Sequence, residues 1–254
     1  MLDVYDSIIS LGGFCGAASQ LRARGLRPVS LPLDWAFMLD SESVRWLTSA
    51  FRNDFADFFR RENLVPLERE GVGGLAPYKY RDAASGFGFI HHFWRPVEEG
   101  YADVAATMSR RLKRMLACFA PGKSVLLILA TPFAFDPTLA VDLLSAVRAR
   151  YPETQVDLHV MQFDAKFDDP CVESMRWPDD LPFTGARYAR RHGDYDLSRT
   201  SAEWAFLDRI TIRGLRSPKV GFWTKVSLKL WKRFSKRLRN AGFGVLGVRF
   251  RHLR

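Results

Sequence analysis

Ser124-Val125-Leu126-Leu127-Ile128-Leu129-Ala130 opens on a serine and then runs through six apolar residues without a polar side chain. Pro121-Gly122 precedes it and a proline at 137 follows. A run this short, bounded by turn residues and partly β-branched, reads as a strand buried on both faces. Downstream, Pro137 to Arg150 has helical spacing and Gln155–Gln162 reads as another strand. Strand, helix and strand in that order make a parallel crossover, normally right-handed. The segment 124–162 therefore sets the class: an α/β layered domain with a mostly parallel sheet flanked by helices.

The rest of the chain can be read outward from that unit. Glu98 to Phe119 is a helix carrying Arg110, Arg111, Lys113 and Arg114, and Pro121-Gly122 ends it. Arg110, Arg111 and Arg114 read first as a solvated helix face, with a phosphate or carboxylated-sugar site as the sharper alternative. Tyr78–Arg81 and Gly86–Phe93 form a predicted hairpin that carries His91 and His92. Ser41–Phe59 has helical spacing with Ser41 as its N-cap. Pro28 to Trp35 contains two prolines and is expected as an extended loop or edge strand. Val4–Leu11 reads as a strand closed by Gly12-Gly13, and Cys15 to Arg24 as a helix stopped by Gly25. The predicted organisation is a core domain over 1–170, an irregular extension over 171–208 and a basic amphipathic tail over 209–254.

Charge follows this division. The chain carries +10 overall, yet 14 Lys and Arg and no Asp or Glu fall between Arg209 and Arg254. Residues 1–208 hold 24 basic and 28 acidic side chains, so a mildly acidic body carries a strongly basic tail. Cys15, Cys118 and Cys171 are an odd number without a CxxC pair, which argues against a disulfide framework or thiolate zinc site and for a reducing, cytoplasmic setting. The first six residues carry acids where a signal peptide carries bases, and no apolar run reaches the ~18 residues of a membrane span. No P-loop, HExxH or contextual GxGxxG occurs, and neither a cofactor nor a metal is expected.

Cys15 stands where an apolar strand breaks at Gly12 and Gly13 and a helix begins. Glycines permit the sharp turn, and the partial positive charge of a helix N-terminus favours thiolate, the reactive form. That setting predicts a thiol that ionises below the ordinary range. The alternative is a small buried hydrophobe. A thiol nucleophile needs a base, usually histidine, and often a third group to orient the ring. His91 is the leading candidate among five histidines, because adjacent strand residues face opposite sides and only one of His91 and His92 can face the site. Asp34 is singled out as an orienting carboxylate, lying in a proline-fixed loop beside Trp35, with a turn or capping role as the alternative.

Ser10-Leu11-Gly12-x-x-Cys15, Leu21-Arg22-x-x-Gly25-Leu26-Arg27, Ser30-x-Pro32-x-Asp34-Trp35, Phe89-Ile90-His91 and Arg110-Arg111-x-x-Arg114 together resemble the bacterial DUF1796 family, described as papain-like cysteine peptidases. The resemblance spans roughly residues 4–165 and implies Cys15 as nucleophile and His91 as base. It brings an α+β papain-like architecture as the alternative fold. Phe14 stands where that pattern has an amide, so an oxyanion would be met by backbone N–H groups of the Gly12-Gly13 turn region. His92 replaces an aspartate, and Leu33 replaces a phenylalanine.

In the tail, a helix over Lys219–Gly242 places Trp223, Ser227, Leu230, Trp231, Phe234 and Leu238 on one arc. Lys225, Lys229, Lys232, Arg233, Lys236 and Arg239 occupy the other. Such a helix suits an anionic membrane surface; docking onto the body ranks second and nucleic acid a distant third. The sequence thus predicts a Cys15-dependent hydrolase or acyltransferase acting on a peptide, amide or ester bond at the inner face of a bacterial membrane. The competing class is a catalytically inactive binding or scaffold protein of the same fold, tethered by its tail.

Overall fold

The computed structural model describes residues 3–67, 77–164, 174–189 and 202–214, all within one compact unit spanning Met1–Leu215. The basic helix expected over Lys219–Gly242, and with it Trp223, Lys225, Lys229, Leu230, Trp231, Lys232, Arg233 and Phe234, lies outside the described residues, as do Cys171, His192 and His252. In chain order the elements are β1 (Asp3–Tyr5), β2 (Ser7–Ser10), α1 (Cys15–Ala23), β3 (Ala36–Met38), α2 (Glu42–Arg52) and β4 (Leu64–Pro66). There follow β5 (Tyr78–Asp82), β6 (Phe87–Phe93), α3 (Val97–Ala117), β7 (Ser124–Thr131), α4 (Thr138–Arg150) and β8 (Gln155–Asp164). The last are β9 (Ser174–Arg176), β10 (Thr184–Ala189) and β11 (Ile210–Ile212).

The central sheet has the order β2-β7-β8-β10-β9, parallel except for β9 at its edge. All eight residues of β7 are buried, as a strand covered on both faces requires. Its side chains alternate between two cores. Val125, Leu127 and Leu129 join the larger, with Val44, Leu47 and Phe51 of α2 and Leu143, Leu144 and Val147 of α4. Leu126, Ile128 and Ala130 join the smaller, with Ala17 and Leu21 of α1 and Trp204 and Leu207 of a short 3-10 helix. The helix-flanked parallel layer is therefore as expected, and β10 carries it past residue 170 by pairing with β8.

Two local expectations are corrected, and the predicted hairpin finds its place in a second sheet. The predicted strand 4–11 divides at Asp6, whose carboxylate accepts hydrogen bonds from Ser124 N–H at 2.9 Å and Ser124 Oγ at 3.0 Å. That anchor releases β1 to pair with β11 in a separate parallel ribbon. The hairpin does not join the parallel sheet; β5 and β6 lie with β3 and β4 in an antiparallel sheet ordered β3-β6-β5-β4. The helix expected to reach Phe59 stops at Arg52, and Asp54, Phe55 and Phe59 take positive φ of 54°, 60° and 60°. Asp54 is held by Arg150 and by Tyr151 Oη at 3.1 Å, and the turn swings two rings inward. Phe55 meets Phe51 at 4.9 Å and Phe59 meets Phe89 at 4.7 Å, in edge-to-face pairs that favour the bend.

Candidate active site

Cys15 is the first residue of α1, and Gly12 and Gly13 form the turn before it with φ of 90° and 103°. The turn needs glycine twice. At Gly12 a Cβ would press on Phe87 at 3.0 Å, and at Gly13 it would sit 1.4 Å from the Ala130 carbonyl oxygen. Gly13 lies against the end of β7 on one side and bridges Phe37 of β3 on the other, where Met38 N–H donates to Gly13 O at 3.0 Å. This turn is thus the seam where the parallel sheet meets the antiparallel one.

β3 continues the seam toward histidine. Ala36 pairs with Phe89 and Phe37 with Gly88, so the chain entering β3 runs beside the later part of β6. Trp35 packs edge-on against His91, with ring centroids 5.7 Å apart at 72°. The Arg27 guanidinium lies over the Trp35 ring, 5.6 Å from its centroid. Burial and the charge of Lys79 hold the His91 ring below the ordinary histidine range. His91 is therefore a neutral imidazole at neutral pH, the form that accepts a proton.

Cys15 is half-buried, and burial pushes its thiol up, against a smaller opposing hydrogen bond from its own backbone N–H. The low-pKa thiol expected from the helix N-terminus is not found. Phe14 occupies the N-cap without a side-chain hydrogen bond and packs on Phe163 at 5.1 Å, so the surroundings are apolar and desolvation outweighs the dipole. Among the described residues no hydrogen bond joins Cys15 to His91. At neutral pH Cys15 is a neutral thiol and His91 a neutral imidazole.

Asp34 has a different partner from the one expected. Its Oδ2 pairs with Arg27 and accepts the Leu31 N–H at 2.8 Å, and its side chain is fully buried. Burial pushes its carboxyl up, while Arg27, the Leu31 N–H and Arg111 oppose the shift. Arg111 was expected on a solvated face but is half-buried, its Nη1 enclosed, and it acts on both Asp34 and His92. The structure thus gathers Arg27, Asp34, Trp35, His91, His92 and Arg111 into one charged, aromatic cluster. Arg27 was legible only as part of the Leu21–Trp35 pattern. Arg111 had no sequence signal that separated it from its exposed neighbours Arg110 and Arg114.

Residues 6–164 match the model of a family described as "Putative papain-like cysteine peptidase (DUF1796)", more than half of the chain. The chain belongs to this family. No curated protein and no solved structure gives a match. The matched span of this DUF1796 chain covers the Gly12-Gly13 turn, Cys15, Asp34, His91 and Arg111.

Two half-buried histidines bear on stability. Neither ring nitrogen of His92 has a hydrogen-bond partner, and burial with Arg111 nearby pushes it down to about 3. His159 donates or accepts through Nδ1 at Thr184 Oγ1, 3.0 Å away, stacks on Phe206, and is pushed down to about 4, chiefly by burial. Below about pH 6.5 the unfolded chain protonates these rings and the folded chain does not, so stability is lost as the pH drops through that value. Denaturant unfolding at pH 7.5 and 5.5 is expected to show a loss of about 2 kcal/mol between them. His92→Leu should remove about half of that dependence and leave the His159 share; an unchanged slope refutes the assignment.

Proposed function

We propose that this DUF1796 chain is a cysteine-nucleophile hydrolase or acyltransferase acting on a peptide, amide or ester bond. The observation that carries the reading is the seam: one glycine turn places Cys15 at the carboxyl end of β2 and joins it through β3 to the strand bearing His91. In open α/β sheets this edge is where ligands bind. On binding an acyl donor, His91 accepts the thiol proton as Cys15 Sγ bonds to the carbonyl carbon. The carbonyl π electrons move to oxygen, facing backbone N–H groups at the start of α1. Collapse expels the amine or alcohol, which takes the proton from His91, and leaves a thioester. Water or an acceptor then repeats the steps in reverse and restores the thiol. A cofactor or metal has no part in this sequence. Catalytic hydrogen bonds commonly tighten only with substrate bound, which fits a resting thiol not yet bonded to its base.

The test is acylation by 4-nitrophenyl butyrate followed by intact mass and peptide mapping. One butyryl group on Cys15 is expected, at a rate already high near neutral pH where His91 is the neutral base. Butyryl found on Cys118 alone, or on no thiol, overturns the reading.

A second reading is favoured by Asp34, which is committed to Arg27 rather than to His91, and by the elevated thiol: a binding or scaffold protein without catalysis. The same acylation experiment separates the two.

The setting proposed is cytoplasmic, peripheral on the inner face of a bacterial membrane through residues 209–254. No helix among the described residues is long and apolar enough to cross a membrane. With vesicles of anionic lipid, the full chain should float and a chain ending at 214 should not. Equal partitioning of the two refutes the membrane role.

A further inference from the structure

The cations of α3 stand outside the proposed Cys15–His91 chemistry, and one of them is drawn inward where the helix packs on β6. β6 is bulged there. Phe89 and Phe93 pair with Tyr80 and Tyr78, so four residue steps on β6 match two on β5, with the surplus at Ile90–His92. The bulge brings the His92 ring to 5.5 Å from the Phe89 ring, centroid to centroid. Phe89 and Phe93 share the larger core with Met108 and Met115 of α3. Arg111 lies three residues after one methionine and four before the other, on the inward stripe of the helix.

Around Arg111 the polar groups are enclosed and under-satisfied. Arg111 Nη1, Arg27 Nε, Asp34 Oδ1 and both His92 ring nitrogens are buried without a hydrogen-bond partner. The Arg27 side chain is only 7% exposed and is held by its ion pair with Asp34. Burial, and then the charges of Arg27, Arg114 and Arg110, work against the Arg111 cation, with Asp34 alone in support. Arg110 and Arg114 are exposed and stand with Arg111 on one arc of about 100° of the helix. On that arc Arg110 Nη2 donates to Thr107 Oγ1 at 2.9 Å. Four guanidinium groups thus stand against one carboxylate, an excess of three positive charges. Acids earlier in α3 do not offset it, since Glu98 pairs with Arg61 and Asp103 with Arg95. Unmade buried donors and crowded like charges are both costly, and a bound oxyanion relieves both.

We propose that Arg27, Arg110, Arg111 and Arg114 form a binding site for a phosphate monoester group. A dianion offsets more of the excess charge than a singly charged carboxylate does, and its oxygens match planar guanidinium forks. Arg110 and Arg114 meet the group from the solvent side and Arg111 from beneath, with His92 and the Asp34-held Arg27 behind it. The site is independent of Cys15 as nucleophile. It adds a phosphorylated ligand to whatever acyl donor the thiol takes.

The test is ligand-observed NMR on the full chain at constant ionic strength. Inorganic phosphate is the first probe, glycerol 3-phosphate and dihexanoylphosphatidate are the monoesters, and acetate is the comparison. Saturable binding of phosphate is expected, with acetate at least about tenfold weaker. Arg111→Met keeps the bulk of the side chain without its charge and should weaken phosphate at least about tenfold. Arg114 is exposed, so Arg114→Gln leaves the fold intact and should weaken phosphate about threefold. Arg176→Gln removes the same charge from an exposed position on β9 and should leave binding within about twofold. Equal weakening by Arg114→Gln and Arg176→Gln overturns the site, because attraction is then diffuse. Phosphate binding unchanged in Arg111→Met overturns it as well, as does failure of all three phosphates to bind. Equal affinity for the two monoesters supports the site with a soluble ligand. Tighter dihexanoylphosphatidate, lost in Arg111→Met, supports it with a lipid headgroup.

Discussion

Gly13→Ala is expected to cost more than about 4 kcal/mol of stability, enough to unfold a domain of ordinary marginal stability. Two independent penalties meet at this residue. Its φ of 103° is a backbone conformation that L side chains rarely adopt, and its Cβ would lie 1.4 Å from the Ala130 carbonyl oxygen and 2.6 Å from the carbonyl carbon. That oxygen is main chain of the central strand and cannot swing aside as a flexible side chain does. Relief requires parting β2 from β7 or breaking the bridge to Phe37, and either separates the two sheets. Gly122→Ala is the control. Its φ is 73° and nothing lies within 4 Å of its Cβ, so it should cost about 1 kcal/mol. Urea midpoints of the two variants should differ widely; near-equal values would show that the seam yields, and the account of the turn fails.

Cys15→Ser is expected to lower acylation by 4-nitrophenyl esters at least about a thousandfold, because a serine hydroxyl ionises far above a thiol and no second nucleophile replaces it. His91→Gln should lower it by about a hundredfold or more, the usual worth of a general base. The pH profile distinguishes a base from a merely structural ring. With His91 present, the neutral imidazole accepts the proton and acylation proceeds below the thiol's own ionisation. Without it the rate should follow thiolate alone and move to higher pH, since burial already pushes Cys15 up. Cys118→Ser, whose Sγ donates to the Arg114 carbonyl oxygen at 3.3 Å on α3, should leave acylation unchanged. Retention of full rate in Cys15→Ser would remove the nucleophile, and an unshifted profile in His91→Gln would remove the base.

The parallel layer was legible because its signals are local. The apolar run 124–130, the helical spacing after Pro137 and the strand 155–162 each report burial through composition and period alone. The helix starting at Cys15 and the turn at Gly12-Gly13 were legible for the same reason, since a positive φ selects glycine at the residue itself. The hairpin was also legible as a pair of strands. Its membership of a second sheet was not, because pairing with β3 depends on three residues, Ala36–Met38, that carry no strand signal beyond their neighbours. The early end of α2 escaped for a related reason: helical spacing continues through Phe55 and Phe58, while the turn is imposed by Asp54 held at Arg150 and Tyr151, nearly a hundred residues away.

At the candidate site the same division holds. Sequence alone determined the residue types, the glycine turn, the helix that follows Cys15 and the family pattern that covers 6–164. Only tertiary structure decided what surrounds each group. It placed Asp34 with Arg27 instead of His91, brought Arg111 inward, and pushed the Cys15 thiol up where its helix end had predicted the reverse. Turns, helices and strands are selected by each residue's own backbone preferences and its near neighbours. Ionisation and pairing depend on burial and on charges delivered from distant parts of the chain, and these exist only once the two sheets close on the Gly13 seam.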